Sequence, residues 1–461
     1  MLFTHPIFLY VFLPLILSCY FLSPKKLKNS VLLLFSLFFY AFGEQKFIIL
    51  IIASAVVDFF CGLIISKNHK KAGLYLSIIF NLSILFYFKY SDFFYSNLSY
   101  GFPFLDLDTN KFASVGLPIG ISFFTFQTMS YTIDVYRGKV KASSNFINFL
   151  TYVSFFPQLI AGPIVRYSEV EKQLKKRSIT LNSFYNGAER FIIGLSKKLL
   201  IANNCAYIAD NIFNLPENEI SMLTAWIGAI AYALQIYFDF SGYSDMAIGL
   251  GKLFGFNFPE NFNLPYTSKS IKEFWQRWHI TLSRWFKDYV YIPLGGNRVS
   301  KNRTYLNLII VFIATGFWHG ANWTFIAWGF WHGGFLILEK IFLEKKLNGM
   351  PKIISHFYCL FIVLIGWVIF RSHTILDAKH FIINLFNFKK PVNIELLYYY
   401  LNKESIIAIC FGILFSLPIS KYFKKSKTLY KFKPFVLILL LIICSFYVAA
   451  GTYNPFIYFR F

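Results

Sequence analysis

The chain has 461 residues, of which 56% are apolar, 21% aromatic and only 15% charged, with a net charge of +23. Soluble domains carry about 25% charged residues, so this balance excludes an ordinary water-soluble enzyme and points to an all-α polytopic membrane protein. The positive charge lies in loops between apolar segments, where positive-inside orientation and anionic lipid headgroups account for it; with no basic soluble domain to carry the function, nucleic acid is excluded as a partner.

In chain order, apolar segments fit to cross a bilayer fall at about residues 6–22, 30–42, 47–66, 72–90, 117–136, 185–206, 222–240, 305–338 (long enough for two crossings), 353–370, 405–420 and 435–450. Residues 147–161 are apolar but short, with Pro157 near the end, and read as re-entrant or interfacial. The expectation is therefore eleven or twelve transmembrane helices in one integral membrane domain over residues 1–461. Its motif-bearing core lies at about 115–335, between N-terminal spans in 1–114 and C-terminal spans in 336–461. The first segment lacks a basic region before it, whereas Lys25, Lys26 and Lys28 follow it. That pattern predicts an uncleaved span with the N-terminus outside and the lysines in the cytoplasm. Continuing the alternation puts the basic loops inside, the acidic loops around 92–108 and 210–219 outside, and the C-terminus outside.

Cys19, Cys61, Cys205, Cys359, Cys410 and Cys444 are scattered and mostly lie in apolar segments. No CxxC or Cys/His cluster appears, so neither a disulfide framework nor a metal site is indicated.

Residues 240–303 differ in texture, being too polar for a span and too aromatic for a floppy loop. Within 270–290, Phe274, Trp278, Leu282, Trp285 and Phe286 recur at helical spacing, opposite Arg277, Arg284, Lys287 and Asp288. This predicts one basic amphipathic helix at the cytoplasmic interface. Its cations are either a solvated face or, with Arg298, Lys301 and Arg303, a rim for an anionic cofactor. The turn Gly295-Gly296-Asn297-Arg298 would add backbone N–H groups towards phosphate.

The most informative residue is His319, in the interruption Gly316-Phe317-Trp318-His319-Gly320-Ala321-Asn322-Trp323 of a long apolar run. An ionisable side chain in such a run is costly and is by default a functional-site candidate. Trp318, Trp323, Trp328 and Trp331 would keep the imidazole neutral and able to act as a base. Asp239 and Asp245, at the edge of a span, require partners and read as tunnel-lining or structural. His332 reads as site-adjacent, or as a packing or lipid-interface residue.

The string from Trp275-Gln276-Arg277-Trp278-His279 through Pro293-Leu294-Gly295-Gly296-Asn297-Arg298 resembles the membrane-bound O-acyltransferase family, in its bacterial alginate O-acetyltransferase-like branch. The resemblance continues in Phe155-Phe156-Pro157-Gln158, in Gln235 to Ala247, and in residues 316–323, and spans about 115–335. It implies a helical funnel with a central tunnel, an acyl-CoA entering from the cytoplasm and an acceptor arriving from the other face. The family's signature histidine maps to His319 and its second polar residue to His279, forty positions earlier, as 319 minus 279 shows. Hydroxyl attack on a thioester needs a base that later returns the proton to the leaving thiolate, and an imidazole suits both steps. Catalytic roles are thus expected for His319 and His279 and donor binding for Arg277, Arg284, Lys287 and Arg298. Tunnel-lining roles are expected for Trp278, Trp318, Asn322, Trp323, Asp239 and Gln158.

The chain ends Phe456-Ile457-Tyr458-Phe459-Arg460-Phe461, a Phe-x-Tyr-x-x-Phe pattern similar to the tail of a small peptide of teichoic-acid D-alanylation. Tyr458 is either an acyl relay or part of an aromatic interfacial anchor. The expected activity is transfer of acetyl from acetyl-CoA, with no permanently bound cofactor, to an exported or cell-envelope polysaccharide. An SGNH-type extracytoplasmic partner and a location in the bacterial cytoplasmic membrane are implied by the same resemblance. The alternatives are a teichoic-acid D-alanyl transfer protein and a non-catalytic transporter; no duplicated halves of the kind transporters show are visible.

Overall fold

Apolar residues at helical spacing fill most of this chain, and among the described residues no strand forms. The structure, a computed structural model, describes residues 1–67, 69–105, 116–419 and 427–457. Among them five helices have the length and apolarity of a full crossing: Ile48–Ser66, Lys70–Gly101, Met222–Leu253, Lys352–Arg371 and Lys431–Ala449. Phe8–Leu22 and Lys28–Gly43 are apolar but shorter. Other expected spans fall on Ile121–Tyr136, Lys301–His319, Trp323–Leu338 and Lys403–Phe415. The chain is a multi-pass, all-α membrane protein. The break at Gly320 divides residues 305–338 into the two helices expected there.

Two expectations are corrected. Met222–Leu253 does not stop at residue 240 but continues through Ser241 to Asp245, because those polar groups turn inward and are buried or paired. The single amphipathic helix expected over 270–290 is two short helices, Ile271–Arg277 and Ile280–Phe286, broken at Trp278-His279.

The chain divides into two compact units. The first comprises residues 1–188 and 247–259. Its core includes interlocked rings of Phe3, Phe8, Phe12, Phe39 and Phe156. Three of its helices share a buried polar network: the Asp58 carboxylate accepts from Ser77 at 2.5 Å and Asn81 at 2.8 Å, and Thr128 donates to Asn81 at 3.1 Å. Every partner a lipid-embedded carboxylate needs is thereby supplied from within.

The second unit, residues 189–246 and 260–461, carries both candidate histidines. The helices Lys301–His319 and Trp323–Leu338 form a hairpin whose backbones nearly touch. A Cβ at Gly329 would lie 2.5 Å from the Phe312 carbonyl oxygen, and one at Gly316 would strike the Phe325 carbonyl. Small residues at such a crossing replace a hydrophobic drive that lipid cannot provide. Buried charges are paired here too, Arg371 with Asp210 at 2.9 Å, and Arg190 and Lys197 with Asp245 at 2.8 and 2.7 Å.

Replacing Gly329 by Ala should force this hairpin apart and cost roughly 1–3 kcal/mol, typical of overpacking at a tight contact. A lowered midpoint of thermal unfolding in detergent, with Gly334→Ala unaffected as a control in open space, checks this.

Candidate active site

His319 is the last residue of Lys301–His319, and Gly320 ends that helix in extended backbone. The imidazole therefore sits at the carbonyl end of a helix, an arrangement that favours the positive charge formed when the ring takes a proton. It is 7% exposed. Three aromatic rings meet it edge to face, Trp318 at 5.0 Å, Trp328 at 5.3 Å and Phe370 at 5.2 Å between centroids.

His279 also meets the Trp318 ring, 6.0 Å from its centroid, and is wholly buried. Its backbone is left-handed, with φ +40°. Asn261 holds it there: its carbonyl oxygen accepts from the Ile280 N–H at 2.9 Å, and its side-chain oxygen lies 3.1 Å from His279 Nδ1. That side-chain oxygen also accepts from the Thr281 N–H at 3.3 Å and hydroxyl at 2.8 Å, while the amide nitrogen donates to Ser244 at 3.1 Å. A backbone N–H is an obligate donor, so the Asn261 atom facing His279 is an acceptor and Nδ1 must carry the proton. Nε2 is then left with its lone pair and, among the described residues, no hydrogen-bond partner. His279 lies outside the spanning helices, and burial together with the neighbouring His319 holds its pKa well below the ordinary value. A neutral, oriented acceptor results.

The two histidines belong to the surroundings of one small pocket. Ile236, Phe240, Trp278, His319, Trp328, Trp367, Phe370 and Ile457 line a cavity of about 10 Å³. His279 adjoins it through Phe240, whose ring meets the imidazole at 4.6 Å. A second and far larger cavity of about 700 Å³ is bounded by Lys272, Lys287 and Lys340 together with Glu273, Glu339 and Glu344, and by Gln276. Ile271–Arg277 serves both places, since Gln276 faces the large cavity and the next turn delivers Trp278 to the small one.

Of the expected residues, His319, His279, Trp278 and Trp318 come together. Asp239 is not a free tunnel carboxylate: Lys198 pairs with it at 2.9 Å and the Ile457 N–H donates to it at 3.0 Å. Trp323 is 55% exposed at the start of its helix, and Trp331 donates to the Ile362 carbonyl instead of shielding His319. Asn322 caps Trp323–Leu338 and donates to the His373 carbonyl. Gln158 lies in the first unit, where it donates to the Tyr152 carbonyl.

Among the cations, Arg277 is held by Glu273 at 2.8 Å and by the Asn263 carbonyl. Arg284, Lys287 and Arg298 are exposed, and only Lys287 of the three borders the large cavity. The expected phosphate nest is corrected, because the N–H groups of Gly295, Gly296 and Arg298 already bond to the carbonyls of Ile292, Tyr291 and Gly295. His332 is fully buried against Phe274, Trp275 and Trp328 rather than at a lipid interface. Tyr458 lies outside the described residues. Sequence reasoning did not single out Asn261, Lys198, Trp367, Phe370 or Ile457. Asn261 had a weak signal, an amide inside a Pro-Glu-Asn-Phe-Asn stretch between predicted helices.

Two histidines around an aromatic pocket, with a cavity large enough for a substantial ligand in the same unit, are suited to proton transfer on an acyl group. Comparison with known proteins agrees. The profile of the MBOAT, membrane-bound O-acyltransferase family matches residues 9–345. The chain is 44% identical over 396 residues to the "Probable alginate O-acetylase AlgI" of Azotobacter vinelandii, covering 84% of this chain and 78% of that one. It is 39% identical to the peptidoglycan O-acetyltransferase of Helicobacter pylori, covering 82% and 78%. It is 32% identical to the teichoic acid D-alanyltransferase of Bacillus subtilis, but over only 44% of this chain and 53% of that one. The chain belongs to the membrane-bound O-acyltransferase family and is an acyltransferase.

The tautomer of His279 is open to direct test. In ¹⁵N-histidine spectra His279 should stay neutral with its proton on Nδ1 between about pH 6 and pH 8. Asn261→Ala should mix the tautomers and slow acyl transfer by roughly 10- to 100-fold, a loss of orientation rather than of the base.

Proposed function

We propose that this chain, acting as one integral membrane domain in the bacterial cytoplasmic membrane, transfers acetyl from cytoplasmic acetyl-CoA towards hydroxyls of an exported polysaccharide. The observation that carries the reading is the joint placement of His319 and His279 around Trp318, with His319 at the wall of an aromatic pocket. The donor's polar part would occupy the 700 Å³ cavity, within the size range of small-molecule sites, with Lys287 and Lys340 as counter-charges, Lys272 being paired with Glu344 at 2.8 Å. Arg284 and Arg298 would act only as outer steering charges, since both stand exposed away from that lining.

The chemistry balances at the imidazole. The attacking hydroxyl gives its proton to His319 as its oxygen bonds to the thioester carbonyl carbon. Collapse of the tetrahedral adduct breaks the C–S bond, and His319 returns the proton to the leaving sulfur, leaving an ester and CoA thiol. The helix end behind His319 stabilises the imidazolium in between. His279, held by Asn261 and kept neutral by burial, adds no second positive charge beside that imidazolium.

Polysaccharide acceptors are named for the alginate and peptidoglycan relatives, and an SGNH-type partner outside the membrane would complete delivery to the glycan. D-alanyl transfer is the weaker alternative, because the corresponding relative aligns with less than half of this chain. Tyr458 as a relay is supported by the position of its neighbour Ile457 in the wall of the His319 pocket.

Purified protein given radiolabelled acetyl-CoA should release CoA at a rate that falls by about 10²–10⁴-fold in His319→Ala. Equal release from both proteins would defeat the assignment. Tyr458→Phe separates the routes: loss of labelled protein and of glycan acetylation supports the relay, and unchanged product removes it.

A further inference from the structure

The segment after the last helix is a strap pinned at four successive points. The Tyr453 hydroxyl donates to Asp210 at 2.5 Å, and Asn203 donates to the Asn454 side chain at 3.1 Å. The Lys198 ammonium donates to the Pro455 carbonyl, and the Ile457 N–H donates to Asp239 at 3.0 Å. Between the last two, Phe456 is buried against the Tyr243 ring at 5.0 Å. Lys198 and Asp239 are also paired with each other at 2.9 Å, both almost without solvent contact. Unpairing charges buried in this way is strongly unfavourable, so the strap is held by groups that cannot easily release it.

The outcome of this anchoring is the position of one side chain. Ile457, 2% exposed, is, among the described residues, the one lining the His319 pocket from beyond the last helix. The aromatic walls hold one another, Trp278 on Trp367 at 4.8 Å and Trp328 on Phe370 at 5.2 Å. Ile457 is an aliphatic wedge closing what those rings leave open. The remaining 10 Å³ is the space of about one water-sized group. A methyl group fits that space, and a longer acyl chain would press on Ile457 and the rings that line it.

We propose that Ile457, set by the Lys198–Asp239 pair, is the residue that gauges acyl length at His319, admitting a two-carbon acyl group and refusing longer ones. The inference rests on the acyl-transfer reading above and adds to it the basis of donor selection. One methylene in a well-packed pocket is worth about 10- to 200-fold in discrimination.

The test uses the full chain in nanodiscs with acetyl-, propionyl- and butyryl-CoA, following CoA release in wild type, Ile457→Val, Ile457→Ala, Ile457→Phe and His319→Ala. The butyryl-to-acetyl ratio should rise by at least about tenfold in Ile457→Ala, less in Ile457→Val, and fall in Ile457→Phe. Ile457→Val keeps the measurement decisive where the alanine variant does not fold. His319-dependent release with the same ratio throughout the series overturns the gauge and leaves the acyl-transfer reading standing. Absence of His319-dependent release from every donor overturns both.

Discussion

The candidate site depends on one break in the backbone, at Trp278-His279. A continuous helix through residues 270–290 would carry its aromatic stripe along a single face. The left-handed turn at His279 instead ends one short helix and starts another. Left-handed backbone costs a non-glycine residue about 1–2 kcal/mol, and it persists only where its surroundings fix it. Asn261 does so, using its own carbonyl, its amide oxygen and its amide nitrogen against the Ile280 N–H, the Thr281 and His279 side, and Ser244. The same bonds dictate which nitrogen of His279 carries the proton. Backbone geometry and imidazole chemistry thus have one cause.

A second constraint is the cost of charge in an apolar chain. Asp239, Asp245, Asp210 and Asp58 are all buried or nearly so, and each has side-chain partners. Two of them do more than neutralise a neighbour. Asp210 and Asp239 also accept from the strap at Tyr453 and Ile457, so the ion pairs Arg371–Asp210 and Lys198–Asp239 fix the end of the chain against the His319 pocket. Hydrophobic substitutes of equal volume would remove the desolvation cost but could not hold an extended backbone segment by its N–H and C=O groups.

What was legible in the sequence follows from how locally each feature is encoded. Composition and apolar runs revealed the helical membrane class, and the Gly-Phe-Trp-His-Gly interruption singled out His319, because a polar group in an apolar run is visible without knowing what surrounds it. The Trp278-His279 break was hidden: its aromatic spacing fits an unbroken helix, and the cause lies in Asn261, eighteen positions earlier. Trp323 and Trp328 look alike in the sequence, yet Trp328 is buried against the imidazole while Trp323 stands 55% exposed, since the helix starting at Trp323 turns its second turn inward. Arg277 looked available until Glu273, one helical turn before it, paired with it. Ile457 had no signal at all, being an ordinary aliphatic residue brought to the site by contacts more than two hundred residues away in sequence.

The contrast between the two cavities bears on how such a site would choose its donor. Most of a thioester donor's bulk lies in its carrier, and the 700 Å³ space with its lysines can hold that part without regard to the acyl group. Binding there lowers the free energy of donors alike, so it cannot separate acetyl from butyryl. Discrimination has to arise where the acyl group itself is enclosed, and there the space is about 10 Å³ between rings that brace one another. Rings locked in this way give a steep penalty for each extra methylene, since none can move without disturbing the next.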